Sequence, residues 1–443
     1  MNSEPNILGT MPVSRLVLHM SWPIMLSMLT QAVYNLVDSI FVARISRNAF
    51  LALSYAYPVQ TLLIAFCVGL GVAFSATLSK RIGEKKYAEA DSSLFHGFTL
   101  YLLCWLLFCS FGLFLAPAFL HSCTDTPEVA ELGTQYLRVV CCFCFGICAQ
   151  FPIERVLQAT GHPSGFMIVQ GSGAVLNLIL DPIFIFTFGL GVRGAAIATV
   201  IGQISGALIG VGLLFHYRKK MPLSFRPCPY SAGMFGELGR IAVPAILMQS
   251  LVSVMSLGMN AILRLWSETA VWVLGAYFKI QSFVFMPIFS VNNALIAIIS
   301  YNHGAGDDRR AEEAIRFSLR IALALSLTGA VLLWVGASPL LTYCFQPDPD
   351  ALALGVPSLR YTCFSFPLAS VSIILSASFQ SLGYNRYSLV LSLLRFIFLL
   401  LPVALVLILL FPQYVFFSLL IAEFLAMAVA IFFYRKVRRE VLL

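Results

Sequence analysis

The sequence predicts an all-α membrane protein, with about twelve transmembrane helices in two pseudo-symmetric six-helix lobes. Composition is the first observation behind this: 59% of the 443 residues are hydrophobic, 11% are charged, and mean hydropathy is +0.89. The second is the recurrence of apolar runs of about 18 or more residues, each long enough to cross a hydrocarbon core about 30 Å thick. Backbone in lipid must satisfy its own hydrogen bonds, so these runs are helices. The third is that the second half repeats motifs of the first.

The expected spans are 16–42, 51–78, 93–120, 131–154, 166–189, 194–216, 238–263, 271–299, 317–337, 356–381, 388–411 and 413–434. Twelve spans leave both termini on one side. About nineteen Lys and Arg then fall in loops on that side, Lys80, Arg81, Lys219 and Arg435 among them. About four, Arg44, Arg47, Arg193 and Arg264, fall on the other. The positive-inside rule places both termini in the cytoplasm of a multi-pass cell-membrane protein. These clusters account for the net charge of +8, so no nucleic-acid partner is expected. The polar opening and full-length first span do not read as a cleavable signal.

The lobes are expected at 1–216 and 238–443, joined by a cytoplasmic linker at 217–237 that carries Pro222, Pro227 and Pro229. Most of the eleven cysteines lie inside apolar runs and read as small hydrophobes. Cys141-x-x-Cys144 has no histidine or second pair beside it, so a metal or redox role is not expected.

The halves correspond at an offset of roughly 221 to 223. Pro23 matches Pro244. Ser79 to Gly83, followed by Ala88-Glu89, matches Ser300 to Gly304, followed by Ala311-Glu312. Gln158-Ala-Thr-Gly161 matches Gln380-Ser-Leu-Gly383. With six spans per half the repeats are parallel, and two such bundles around a cavity that opens to alternate sides make a transporter architecture.

Polar residues inside the runs need a reason, because an ionised side chain at the bilayer centre costs about 2.5–3.5 kcal/mol on insertion scales. In span 1, Gln31, Tyr34, Asn35 and Asp38 share a helix face. Span 5 carries Gln170, Asn177 and Asp181, with Pro182 directly after. Span 6 carries Thr199 and Gln203, beside a stripe of Gly202, Gly206 and Gly210 that allows close helix approach. Asp38, Asn177, Asp181 and Thr199 supply carboxylate, amide and hydroxyl oxygens. Together they form a candidate cage for Na⁺, or a relay for H⁺. Gln31, Tyr34, Asn35, Gln203 and Lys279 are the candidate accessory polar lining. Lys279, two heptads before Asn293, either contacts an anion or pairs with an acid. Glu154 and Arg155 are expected to pair at the cytoplasmic end of span 4, and Arg395 and Glu423 to pair within the second half. Met259 stands opposite Asp38, and the counterpart of Asp181 falls near Leu401 to Val403, so the coupling chemistry belongs to the first half.

The segments Tyr277 to Pro287 and Asn292 to Gly306, the first-half stretch Gly69 to Gly83, Gln158 to Gly161, and Asn177-Leu-Ile-Leu-Asp181-Pro182 together resemble the multidrug and toxic compound extrusion (MATE) family. The resemblance implies two six-helix lobes and export of cationic or amphipathic organic molecules in exchange for inward H⁺ or Na⁺. It places the first-lobe cation site on Asp38, Asn177, Asp181 and Thr199. Acids that some members carry in spans 7 and 10 have no counterpart here. The expected partners are small-molecule substrates and the bilayer, with no cofactor beyond the coupling ion. A monomer of bacterial or archaeal type is expected. No G-x-x-x-x-G-K-[ST] loop occurs, and no ATPase subunit is required. A flippase for lipid-linked precursors would need a basic cavity, for which Lys279, Arg138 and Arg395 are the candidates. An intramembrane aspartyl protease would need other contexts than Leu-Val-Asp38 and Ile-Leu-Asp181.

Overall fold

The computed structural model describes residues 7–442 apart from 44, 125, 222, 226–227 and 346–348. The side chains of 34–40, 42–43, 47, 50–51, 54, 268, 344–345 and 441–442 also lie outside the described set. The first repeat contributes α1 (Ile7–Thr10), α2 (Val13–Ala43), α3 (Arg47–Gly83), α4 (Tyr87–Ser110), α5 (Ala116–Cys123), α6 (Pro127–Cys142), α7 (Phe145–Ala159), α8 (Pro163–Pro182) and α9 (Gly191–Tyr217). The second contributes α10 (Ala232–Arg264), α11 (Glu268–Gly304), α12 (Asp308–Phe345), α13 (Pro349–Thr362), α14 (Ser365–Ser381), α15 (Asn385–Leu393), α16 (Leu400–Leu410) and α17 (Phe417–Val437). Among the described residues, ten helices are long and apolar enough to cross a membrane, and twelve spans result if each of two bent pairs counts as one.

Those bent pairs refine the expected spans 4 and 10. Helices α6 and α7 meet at 43°, α13 and α14 at 48°. Pro367 explains the second break, since its ring clashes with the carbonyl four residues back, at Cys363. At the first break a Cβ on Gly146 would sit 2.9 Å from the Ile204 side chain, so the bend seats α7 closely on α9.

The repeat extends to the helix caps. Gly161 (φ 82°) and Gly383 (φ 87°) each take the left-handed conformation that ends a helix, with His162 N–H reaching Leu157 O and Tyr384 N–H reaching Phe379 O. The end of α3 turns through Lys85 (φ 59°) and the end of α11 through Gly306 (φ 77°). Charges follow the same plan with inverted sign. Arg81 meets Glu84 and Glu89 at 3.0 Å and Glu237 at 2.7 Å, whereas Glu312 meets Arg316 at 2.6 Å and also Arg438.

The chain divides into two compact units, one of Met1–Met11 with Trp22–Ile246 and the other of Pro12–Ser21 with Leu247–Leu443. In the first unit the segment after α9 is fastened to α4. The buried Asp91 carboxylate accepts the N–H of Ser224 at 2.9 Å and of Phe225 at 3.3 Å. His96 holds Ser92 O with Nδ1–H at 2.7 Å, which leaves Nε2 to accept Ser231 N–H at 2.9 Å. The core of this unit gathers Leu63, Cys67, Tyr101, Phe108, Leu137 and Cys148.

Candidate functional site

On α8, Asn177 and Asp181 are one turn apart and both buried. The Asn177 amide Nδ2 donates to Asp181 Oδ1 at 3.2 Å and to Thr199 Oγ1 of α9 at 3.4 Å. The Thr199 hydroxyl itself donates to Ala195 O at 3.0 Å, so its lone pairs are turned to the amide. Asn177 Oδ1 is buried with no hydrogen-bond partner. An undonated oxygen beside a buried carboxylate and a hydroxyl favours a cation or a proton-bearing water.

Glycine makes this convergence possible. A Cβ on Gly202 would lie 2.6 Å from Gly173 O and 3.2 Å from Asn177 Cβ, so only glycine lets α9 come close enough to bring Thr199 to Asn177. The expected stripe does what its spacing suggested, with Gly206 against Val169 O and Gly210 against Ile153. Pro182 leaves the carbonyl of Leu178 without its helical donor, and the chain continues as a π-helix over Ile183–Thr187. Asp181 thus sits at a distortion in the helix ladder.

Beside this cluster lies a cleft of about 40 Å³, lined by the amides of Gln31, Gln150, Gln170 and Gln203 together with Asn177 and Thr199. Gln170 Nε2 donates to Gln31 Oε1 at 2.5 Å and ties α8 to α2. That volume holds a few waters or an ion, well below the 300–1,000 Å³ of a drug-sized site.

The structure therefore brings together Asn177, Asp181, Thr199, Gln31 and Gln203. The side chains of Tyr34, Asn35 and Asp38 lie outside the described residues. Lys279 is exposed on α11 in the second unit and is not among the residues lining this cleft. Gln150 was missed by sequence reasoning, although a polar residue within an apolar run one turn before Glu154 was the available signal. The expected Glu154–Arg155 pair is corrected. Glu154 takes the Gln150 amide at 2.8 Å, while Arg155 Nη1 donates to Gln158 at 2.9 Å, because consecutive helical residues point to different sides. Arg395 and Glu423 do pair, at 2.6 Å. A separate group of buried thiols, Cys67, Cys104 and Cys148, gathers from α3, α4 and α7 with all three Sγ within 4.8 Å of one another.

The chain is 27% identical to the FAD transporter of Shewanella oneidensis, over 89% of this chain and 88% of that one. It is 26% identical to the multidrug export protein MepA of Staphylococcus haemolyticus, over 97% and 94%. In structure it resembles a MOP superfamily transporter from Pyrococcus furiosus, with a TM-score of 0.93, 24% identity and 98% coverage of each chain. It also resembles an outward-facing MATE family multidrug resistance transporter, with a TM-score of 0.92, 24% identity, and coverage of 100% of this chain and 99% of that one. These two likenesses concern the fold. Residues 23–183 and 244–406, one block in each repeat, match the MatE family. The chain belongs to that family, the multidrug and toxic compound extrusion transporters.

Proposed function

We propose that this protein is a secondary antiporter, exporting cationic or amphipathic organic molecules in exchange for inward H⁺ or Na⁺ by alternating access. The observation that carries the reading is the buried Asn177–Asp181–Thr199 cluster, with an undonated amide oxygen, beside a cleft too small for cargo. Asp181 supplies the charge, Asn177 and Thr199 supply neutral oxygens, and Asp38 is assigned to the same site from its place on the α2 face that carries Gln31. Gln31 and Gln203 orient water at the mouth of the cleft. Tyr34 and Asn35, which sequence spacing puts on the same face as Gln31, are assigned to the accessory lining.

Coupling requires that ion and cargo favour different states, not that they touch. One net charge moved per cycle makes available about 2.3 kcal/mol per 100 mV, enough for a roughly fiftyfold cargo gradient. The protein works as a monomer in the cell membrane with both termini in the cytoplasm, needing no ATPase subunit. The name of the Shewanella relative adds flavin dinucleotide to the cargo panel, although an anionic cargo would call for basic groups that the described cleft lacks.

The experiment is counterflow and efflux in proteoliposomes with a panel of dyes and FAD. It is run first with a Na⁺ gradient alone, then with a pH gradient alone. Export under one gradient is expected, and Asp38→Asn with Asp181→Asn should abolish it. Ion-driven export that survives both substitutions ends the proposal.

A further inference from the structure

We infer that Glu154 is a second coupling carboxyl of the first unit, taking up the driving proton at the opposite end of the amide cleft from Asp181. This rests on the antiport reading above and adds a residue that the reading does not use.

Contacts along α9 fix the placement. Gly202 faces Gly173 and Asn177, Gly206 faces Val169 and Gln150, and Gly210 faces Ile153 and Val169. Asp181 is therefore beyond one end of this ladder and Glu154, next to Ile153, is at the other. The eleven steps from Thr199 to Gly210 correspond to about 16 Å of helix. The cleft lies between, and Gln150 belongs to both parts, because its side chain lines the cleft while its Nε2 donates to Glu154 Oε1 at 2.8 Å.

Glu154 has no ion-pair partner among the described residues, and Arg155 acts on it only through space. Glu154 is 1% exposed, and no described Lys, Arg or His lies within ion-pair distance. Helix α9 presents Gly206 and Gly210 to this turn of α7, and α8 presents Val169, none of them titratable. Arg155, the nearest charged group, turns toward α3 and α4. Its Nη1 is on Gln158, its guanidinium is over Phe166 at 5.6 Å, and its Nε is near Gly71, where Tyr101 of α4 also reaches. A carboxyl that is buried, lightly hydrogen-bonded and without a cation in contact favours the neutral acid there and ionises when water reaches it. In the step itself, an O–H bond forms on a Glu154 carboxylate oxygen as one breaks on a cleft hydronium. The reverse transfer returns the proton to water when the cleft opens to the other side.

The test uses full-length protein in Na⁺-free, weakly buffered detergent solution, with ethidium as the probe cation. Ethidium binding to wild type is expected to release protons. Glu154→Gln should still bind ethidium but release one proton fewer, and pH-gradient-driven efflux from proteoliposomes should lose its pH dependence on one limb. Glu154→Asp should restore both. An unchanged proton count and pH profile in Glu154→Gln overturns the inference. Asp181→Asn runs in parallel: if it abolishes coupled export while Glu154→Gln is silent, this inference alone fails, and if both are silent the antiport reading fails too. Should Glu154→Gln not fold, wild type is treated with dicyclohexylcarbodiimide, which adds to protonated buried carboxyls as an N-acylurea. Modification of the Glu154 peptide that declines with rising pH and with ethidium supports the proposal. A Glu154 that is unmodified at every pH overturns it.

Discussion

Glu423 on α17 meets the guanidinium of Arg395 at 2.6 Å, each side chain 12% exposed, whereas Asp181 on α8 receives the amide of Asn177 with the Thr199 hydroxyl alongside. The two sites lie in the fifth and sixth spans of their respective repeats, and both put a carboxylate into apolar surroundings. The second repeat brings its own permanent cation. In the first, the described groups beside the acid are a neutral amide and a hydroxyl, and the amide oxygen is undonated. A guanidinium never gives up its charge in a protein, so the second arrangement is closed to exchange. On the antiport reading, the first changes its charge state when an ion arrives. Duplication of a scaffold thus yielded one site that locks helices together and one suited to a transient ligand.

The comparison breaks or sharpens under four sets of substitutions. The largest effect is expected for Arg395→Met, which leaves Glu423 buried without compensation. It should cost about 3–5 kcal/mol by thermal melting in detergent, and Arg395→Met with Glu423→Leu should recover most of that. Asp181→Asn, by contrast, should hold stability within about 1 kcal/mol while abolishing ion-driven export. Equal losses in the two melts would erase the distinction.

Next in size is the glycine contrast. A Cβ on Gly202 meets backbone, Gly173 O at 2.6 Å, but one on Gly258 meets the Leu401 methyls at 2.8 Å, which can swing aside. Gly202→Ala should therefore cost about 1–3 kcal/mol and Gly258→Ala under about 1 kcal/mol, read by the same melts.

Asn177→Leu keeps the volume and removes the oxygens. It should weaken the apparent affinity for the coupling ion about tenfold, about 1.4 kcal/mol, with little change in melting temperature. Initial export rates against ion concentration measure it.

The smallest effect belongs to the charge cluster at the end of α3. Burial pushes the Glu84 carboxyl up, but hydrogen bonds from Lys86 and Arg81 outweigh it and hold the group below its ordinary value. A depressed acid contributes stability that is complete above its unfolded value of about 4.3 and lost as pH falls through the folded one. Melts of wild type and Glu84→Gln should therefore differ, in favour of wild type, near neutrality and converge only once the pH has fallen below the depressed folded value.

Much of this was legible in the sequence, for identifiable reasons. Apolar run length fixed the spans, because lipid leaves helix as the only option. Gly161 and Gly383 marked helix ends, because a left-handed residue is needed there. Asn177 and Asp181 could be read as neighbours from one-turn spacing, and the Gly202 stripe hinted at the partner helix. Gln150 and Glu154 are also one turn apart, but spacing along one helix does not say which face turns to which neighbour, so the place of Gln150 on the cleft stayed hidden. The thiol group of Cys67, Cys104 and Cys148 draws on three helices, a relation no local pattern records. The docking of residues 224 and 231 by Asp91 and His96 depends on backbone N–H groups, which leave no trace in residue identity.

The near-touching backbones at Gly173 and Gly202 also have a mechanical consequence. Most helix pairs are separated by interleaved side chains that bend and re-pack under load, and such a cushion absorbs small displacements. Between α8 and α9 that cushion is missing at the level of Asn177, and again one turn on where Gly206 lies against Val169 O, so the pair is stiff in shear along this stretch. A push on either helix there reaches the other without slack, and compliance must come from the parts of the two helices beyond it.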